Sequence, residues 1–266
     1  MVLTPPVVLT GSGLLDGHGR GARYVLEGEQ VRRVGVLQRR RGGQRVDVVD
    51  GRGIRLHCKI AAVLPGRLEL DVLERVAEPA PAVRLVLVQA LTVGHPDELA
   101  IGAATEAGVD DVVPWQARRS VVVWRGQRAA TSRAAWLAVV REATERSRRA
   151  FVPAIAEPVD TAGLAGYVGG VVAGGGAAFV LHASAPASLA RLPLPAACEA
   201  ARVVVVVGPE GGIAQEEHEA LIAAGATAAR LGPHVMSTST AGPVAVALLA
   251  QRLGRWADRE GPIRTP

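Results

Sequence analysis

Residues Gly208-Pro209-Glu210-Gly211-Gly212 follow directly on five consecutive valines, Val203 to Val207. Three glycines and one proline around a single acid make a turn with little side-chain bulk. Such a turn leaves main-chain N–H groups open and lets a flat or anionic ligand approach the backbone closely. The chemistry this favours is binding through the main chain, with Glu210 as the one ionisable group. A tight strand-to-helix connection without a ligand has the same local pattern. The valine run reads as a strand buried on both faces. Beyond the turn, Ile213 to Ala224 has apolar residues at helical spacing, with Glu216 and Glu217 in the first turn where acids suit a helix start. The common phosphate-binding fingerprints are absent. No G-x-x-x-x-G-K-[ST] occurs, and the glycines from Gly11 to Gly21 do not stand between a strand and a helix.

A second glycine turn, Leu231-Gly232-Pro233, leads into His234-Val235-Met236-Ser237-Thr238-Ser239-Thr240-Ala241-Gly242-Pro243 and then the apolar segment Val244 to Leu253. The hydroxyl residues either cap that helix or contact a ligand. The two turns together, G-P-E-G-G and then L-G-P-x-x-x-x-T-x-T-A, resemble the C-terminal signature of the SPOUT methyltransferases, and within them the RsmE family. Val88-Gln89-Ala90-Leu91, Glu98-Leu99-Ala100, Ala104 to Val109, Arg119-Ser120-Val121, Trp136, Glu142-Ala143, Ser147-Arg148-Arg149 and Leu181-His182 extend the likeness. It covers residues 83–253 with specific motifs and 1–75 more loosely. The chain departs from the family pattern at Val93, Pro96, His234 and Ser237, where the family carries basic residues.

The resemblance implies an S-adenosylmethionine-dependent methyltransferase acting on N3 of a uridine in 16S ribosomal RNA, with the 30S subunit as partner. An acceptor of a different kind, a small molecule, is the alternative. It further implies a homodimer, a trefoil knot near the C-terminus and a PUA-like β-barrel in front. The implied cofactor contacts are Leu181, His182, Gly208, Glu210, Gly211, Gly212, Leu231, Gly232, Met236, Ser237, Thr238, Ser239 and Ala241. Methyl transfer needs the acceptor held in line and its proton removed. Glu145, Arg148 and His234 are the leading candidates for that work, with Glu106 and Glu142 behind them; Arg32, Arg33, Arg119, Arg146 and Arg149 are candidates for the RNA. Glu142 and Glu145 have a second reading, as i,i+4 partners of Arg146 and Arg149 on a helix surface. Glu210 has one as a cap of the following helix.

The elements that must position these residues follow a change of pattern along the chain. Before residue 76, short strands (Arg23 to Leu26, Arg45 to Val49, Ile54 to Val63, Arg67 to Leu73) alternate with glycine turns, as in a small barrel. A helix is expected over Gln30 to Gln38. Glu78-Pro79-Ala80-Pro81 reads as a stiff linker, giving domains of 1–76 and 83–266. Strands then alternate with helices: Val83 to Ala90, Glu98 to Ala107, Asp111 to Val113, Ser132 to Ser147, Ala177 to His182 and Arg202 to Val207. That alternation predicts an α/β domain with a mostly parallel sheet. Gly163 to Gly176 is expected to be a mobile loop after a weak helix.

The 266 residues are 49% hydrophobic but only 3% aromatic, so Val, Leu and Ala must fill the cores. No apolar run reaches the roughly 18 residues that argue a membrane span, no basic leader precedes an apolar stretch, and a cytoplasmic protein is expected. Cys58 and Cys198 give neither a disulfide framework nor a metal motif, so no metal is expected. The formal charge of +5 is carried almost wholly by arginine, Lys59 being the one lysine. Arginines concentrate at 32–45 and 141–149, which suits phosphate contact.

Overall fold

The computed structural model describes residues 5–31, 41–196 and 201–257. The chain parts into two compact units, 1–81 together with 138–153, and 82–137 together with 154–266.

In the first unit β1 (Val7–Leu9), β2 (Arg23–Glu27), β3 (Arg45–Val49), β4 (Ile54–Leu64) and β5 (Arg67–Ala77) form one sheet in the order β1-β3-β4-β5-β2. The first pair is parallel and the rest antiparallel. Alternation along β4 and β5 buries Leu56, Cys58, Ile60, Leu68, Leu70 and Val72 on one face. Burial pushes the Cys58 thiol up to about 12, so it stays protonated and is no nucleophile. Of the helix expected at Gln30 to Gln38, α1 (Glu29–Val31) is its start; the rest, 32–38, lies outside the described residues.

Residues 138–153 join this unit through backbone contacts that no local pattern announces. Gly53 N–H donates to the Ala150 carbonyl at 3.1 Å, and Val152 N–H to that of Gly51 at 3.0 Å. Gly53 has φ +107°, and a Cβ there would lie 2.4 Å from the Phe151 ring. Only glycine allows both the backbone angle and the ring. The buried Arg55 guanidinium then binds Asp47 at 3.2 Å, Glu78 at 2.7 Å and the Arg148 carbonyl at 2.8 Å.

The second unit holds a wholly parallel seven-stranded sheet. Its strands are β6 (Val83–Ala90), β7 (Asp111–Gln116), β8 (Ala154–Ile155), β9 (Val159–Asp160), β10 (Ala177–Leu181), β11 (Ala201–Val207) and β12 (Thr227–Ala229). The order is β12-β10-β11-β6-β7-β8, with β9 pairing β7 farther along. Its helices are α2 (Pro96–Ala107), α4 (Thr161–Ala173), α5 (Gln215–Ala223) and α6 (Thr238–Arg252), together with the start of α3 (Gly126–Arg146), whose residues 138–146 belong to the first unit. None among the described residues is long and apolar enough to cross a membrane. Helix α3 starts six residues ahead of the expected Ser132 and ends at Arg146.

The glycine-rich stretch after Thr161 corrects the expectation of a mobile loop, because it is α4. Asp160 caps it by accepting from Gly163 N–H at 2.8 Å. Leu164, Val168 and Val171 fall at i, i+4 and i+7 and are buried against the sheet. That burial outweighs the helix cost of its glycines, about 1 kcal/mol each. The chain then enters β10 through Gly176, where a Cβ would stand 2.5 Å from the Arg202 carbonyl and 2.9 Å from that of Val171. Both neighbours are backbone and cannot yield cheaply. Gly176→Ala is therefore expected to lower stability by about 2–4 kcal/mol, read as a shift in the urea midpoint; an unchanged midpoint contradicts this packing.

Candidate active site

Strands β10, β11 and β12 are neighbours, and Val180 pairs with both Val206 and Ala228. Their carboxyl ends therefore stop at one level, and the three loops that follow open side by side. Ligands of open parallel sheets sit at this edge. Here the loops enclose a cleft of about 570 Å³, inside the roughly 300–1,000 Å³ range of small-molecule sites.

Leu181 and His182 line it from the loop after β10, Gly208 to Glu210 with Gly212 and Ile213 from that after β11, and Leu231 to Ser237 (Pro233 aside) from that after β12. Thr238 and Ala241 add the first turn of α6. Of the expected cofactor residues, only Gly211 and Ser239 are not on the wall. The Gly211 carbonyl accepts from Arg119 at 2.8 Å, and the Ser239 hydroxyl lies 2.9 Å from that of Ser237. The turn after β11 closes through Gly212 N–H to the Pro209 carbonyl at 2.8 Å, with Gly212 at φ +74°. A side chain is disfavoured there.

Glu210 does not cap α5. Its carboxylate accepts from the Thr238 hydroxyl at 3.3 Å, tying the glycine turn to α6. Ser237 holds the N-cap position of α6, yet its hydroxyl turns to Ser239 and Thr240 rather than to the helix amides. The cap of α5 is Glu217, which accepts from Ala214 N–H at 3.1 Å. This carboxylate is 5% exposed and also accepts from Arg118 N–H at 2.8 Å and the Thr161 hydroxyl at 2.6 Å. It thereby fixes the loop after β7, whose next residue is Arg119, against α4 and α5. The reach of Arg119 to Gly211 depends on that anchoring. Sequence reading marked Glu217 only as a first-turn acid; its spacing from Ala214 is the capping-box interval, which was the available signal.

His234 lines the cleft. Glu145 and Arg148 do not; both belong to the first unit, where Glu145 accepts from Leu9 N–H at 2.9 Å and Arg148, at φ +59°, offers its carbonyl to Arg55. Arg146 pairs with Glu142 at 3.5 Å on an exposed helix surface, and Arg149 shares that unit. Glu106 is exposed on α2. Arg32 and Arg33 lie outside the described residues. Lining residues that sequence reading missed are chiefly apolar (Val207, Ile213, Ala229), with Arg230 the charged exception. His182 Nδ1 accepts from Ser184 N–H at 3.3 Å, which puts the ring proton on Nε2 when the imidazole is neutral.

Residues 78–250 match the family described as RNA methyltransferase domain. The chain belongs to this family. Among its relatives, ribosomal RNA small subunit methyltransferase E of Mycobacterium bovis is 39% identical over 236 residues, 89% of each chain. The protein of that name from Bacillus subtilis is 26% identical over 82% of this chain and 86% of its own. In fold, the chain is similar to a solved structure from Neisseria gonorrhoeae, a ribosomal RNA small subunit methyltransferase E bound to S-adenosyl methionine. It superposes with TM-score 0.79 at 23% identity, covering 94% of this chain and 98% of that one.

Removing the carboxylate that organises these loops tests the geometry. Glu217→Ala leaves three donors without their acceptor and is expected to cost about 2–4 kcal/mol. Glu217→Gln, which keeps an acceptor oxygen, is expected to lose less. Equal urea midpoints for Glu217→Ala and the unaltered protein refute the network.

Proposed function

We propose that the protein is an S-adenosylmethionine-dependent methyltransferase that modifies N3 of a uridine in 16S ribosomal RNA, with the 30S subunit as its partner. The observation that carries this is the 39% identity, over 89% of both chains, to an enzyme named for the small-subunit ribosomal RNA. A match over so much of both chains favours RNA over a small-molecule acceptor, because it takes in the N-terminal strands as well as the cleft. The proposal includes a homodimer in the cytoplasm, a trefoil knot around the cleft and a PUA-like barrel in residues 1–76 that contacts RNA.

The residues present fit the cofactor. Val207, Ile213 and Leu181 offer apolar surface for a flat base, the glycine turn offers amides, and Ser237 and Thr238 offer hydroxyls. The cofactor, when bound, supplies a methyl group activated by a sulfonium. The chain's own task is to orient the uridine and take its N3 proton. His234 is the proposed proton acceptor, since it lines the cleft while Glu145 and Arg148 are held by contacts inside the first unit. Arg119, bonded to Gly211 on the cleft wall, is proposed to stabilise the negative charge that builds as the proton leaves. Arg32, Arg33, Arg146 and Arg149 are proposed as RNA contacts.

The test is label transfer from S-adenosylmethionine to 30S subunits that lack the modification. N3-methyluridine in the 16S RNA is expected. Cofactor binding without any label in RNA overturns the proposal. His234→Ala is expected to lower kcat by about 100-fold, the low end of general-base contributions; an unaltered kcat removes His234 from the role.

A further inference from the structure

A second groove, of about 530 Å³, adjoins the cleft and shares Arg230 and Gly232 with it. Its other wall is the segment after β10, which contributes Ser188, Arg191 and Leu192. That segment has no regular secondary structure, yet it is held rigidly. Leu189 N–H donates to the Arg230 carbonyl at 2.9 Å, and Arg230 N–H donates to that of Ala187 at 2.9 Å. The Arg230 guanidinium binds the Ala185 carbonyl at 2.8 Å and also that of Pro186. From α6, Arg252 binds the carbonyls of Leu189 at 2.8 Å and Leu192 at 2.6 Å. Leu189 is fully buried as the apolar anchor. A turn pinned from both sides in this way spends little entropy when it meets a ligand.

What the turn presents is positive. Arg191 is exposed, its N–H donates to the Ser188 carbonyl at 2.9 Å, and its guanidinium has no acidic partner among the described residues. Among the described residues no Asp or Glu lines the groove, which carries two guanidiniums and a hydroxyl. Guanidinium forks match the oxygens of a phosphate. Resting on the RNA reading of the neighbouring cleft, we infer that this groove holds a backbone phosphate of the RNA strand beside the nucleotide being methylated. The class of ligand is a phosphodiester, recognised by charge and without reading of the base.

Arg191 is the residue to test, because altering Arg230 would also disturb the carbonyls it holds. Arg191→Ala and Arg191→Glu are compared with the unaltered full chain in two assays. In the first, binding of a 16S RNA fragment is followed by fluorescence anisotropy across a salt series. Arg191→Ala is expected to weaken binding several-fold and to flatten the slope of log affinity against log salt by about 0.7–0.9, the loss of one phosphate contact. Arg191→Glu weakens it further. In the second, methyl transfer to 30S subunits is expected to show a raised KM for RNA with kcat and cofactor affinity preserved. Unchanged salt slope and KM in both variants overturn the inference, as does an unaltered protein that binds no RNA. A flattened slope in a protein that methylates no RNA upholds the groove and overturns the uridine reading instead.

Discussion

The common register of β10, β11 and β12 is the constraint on which the site depends. Val180 faces Val206 on one side and Ala228 on the other, so three loops leave the sheet at one level. Regular pairing ends there, and main-chain groups that the sheet would otherwise satisfy become available to a ligand. A slip of one residue in any of the three strands would carry its loop out of line and reverse which side chains face the core. The valines of β11, buried on both faces, resist that slip.

Around this edge, polar contacts do the fine positioning. Glu217 collects an amide from the loop after β7, an amide from the start of α5 and a hydroxyl from α4. A buried carboxylate is costly unless satisfied in this way. The three donors offset that cost, and the one from Arg118 sets the backbone next to Arg119, which reaches Gly211. Thr238 reaching Glu210 closes the other side of the glycine turn. The cleft is thus shaped by its glycine turns and steadied by Glu217 behind the wall and by Arg119, Glu210 and Thr238 on it.

Much of this was legible from sequence where local pattern and tertiary need agree. The strand Val83 to Ala90 has the expected bounds, and β11 differs by one residue. G-P-E-G-G announced the turn because glycine and proline restrict the backbone whatever surrounds them. The helix α4 was hidden, since its stability comes from Leu164, Val168 and Val171 packing on the sheet and not from its glycine-rich composition. The short strands β1, β8, β9 and β12 have too few residues to show a period. The membership of 138–153 in the first unit rests on Gly53 admitting Phe151, a contact between residues nearly a hundred positions apart. Glu217 looked like an ordinary helix-start acid, because two of its three donors come from distant segments.

The most direct test of the account is a crystal structure of the protein soaked with S-adenosylhomocysteine. The account predicts the ligand in the cleft between the loops after β10, β11 and β12, its base against Val207 and Ile213 and its contacts largely to the main chain. Ligand bound elsewhere, or an empty cleft at a concentration that calorimetry shows to be saturating, would contradict it.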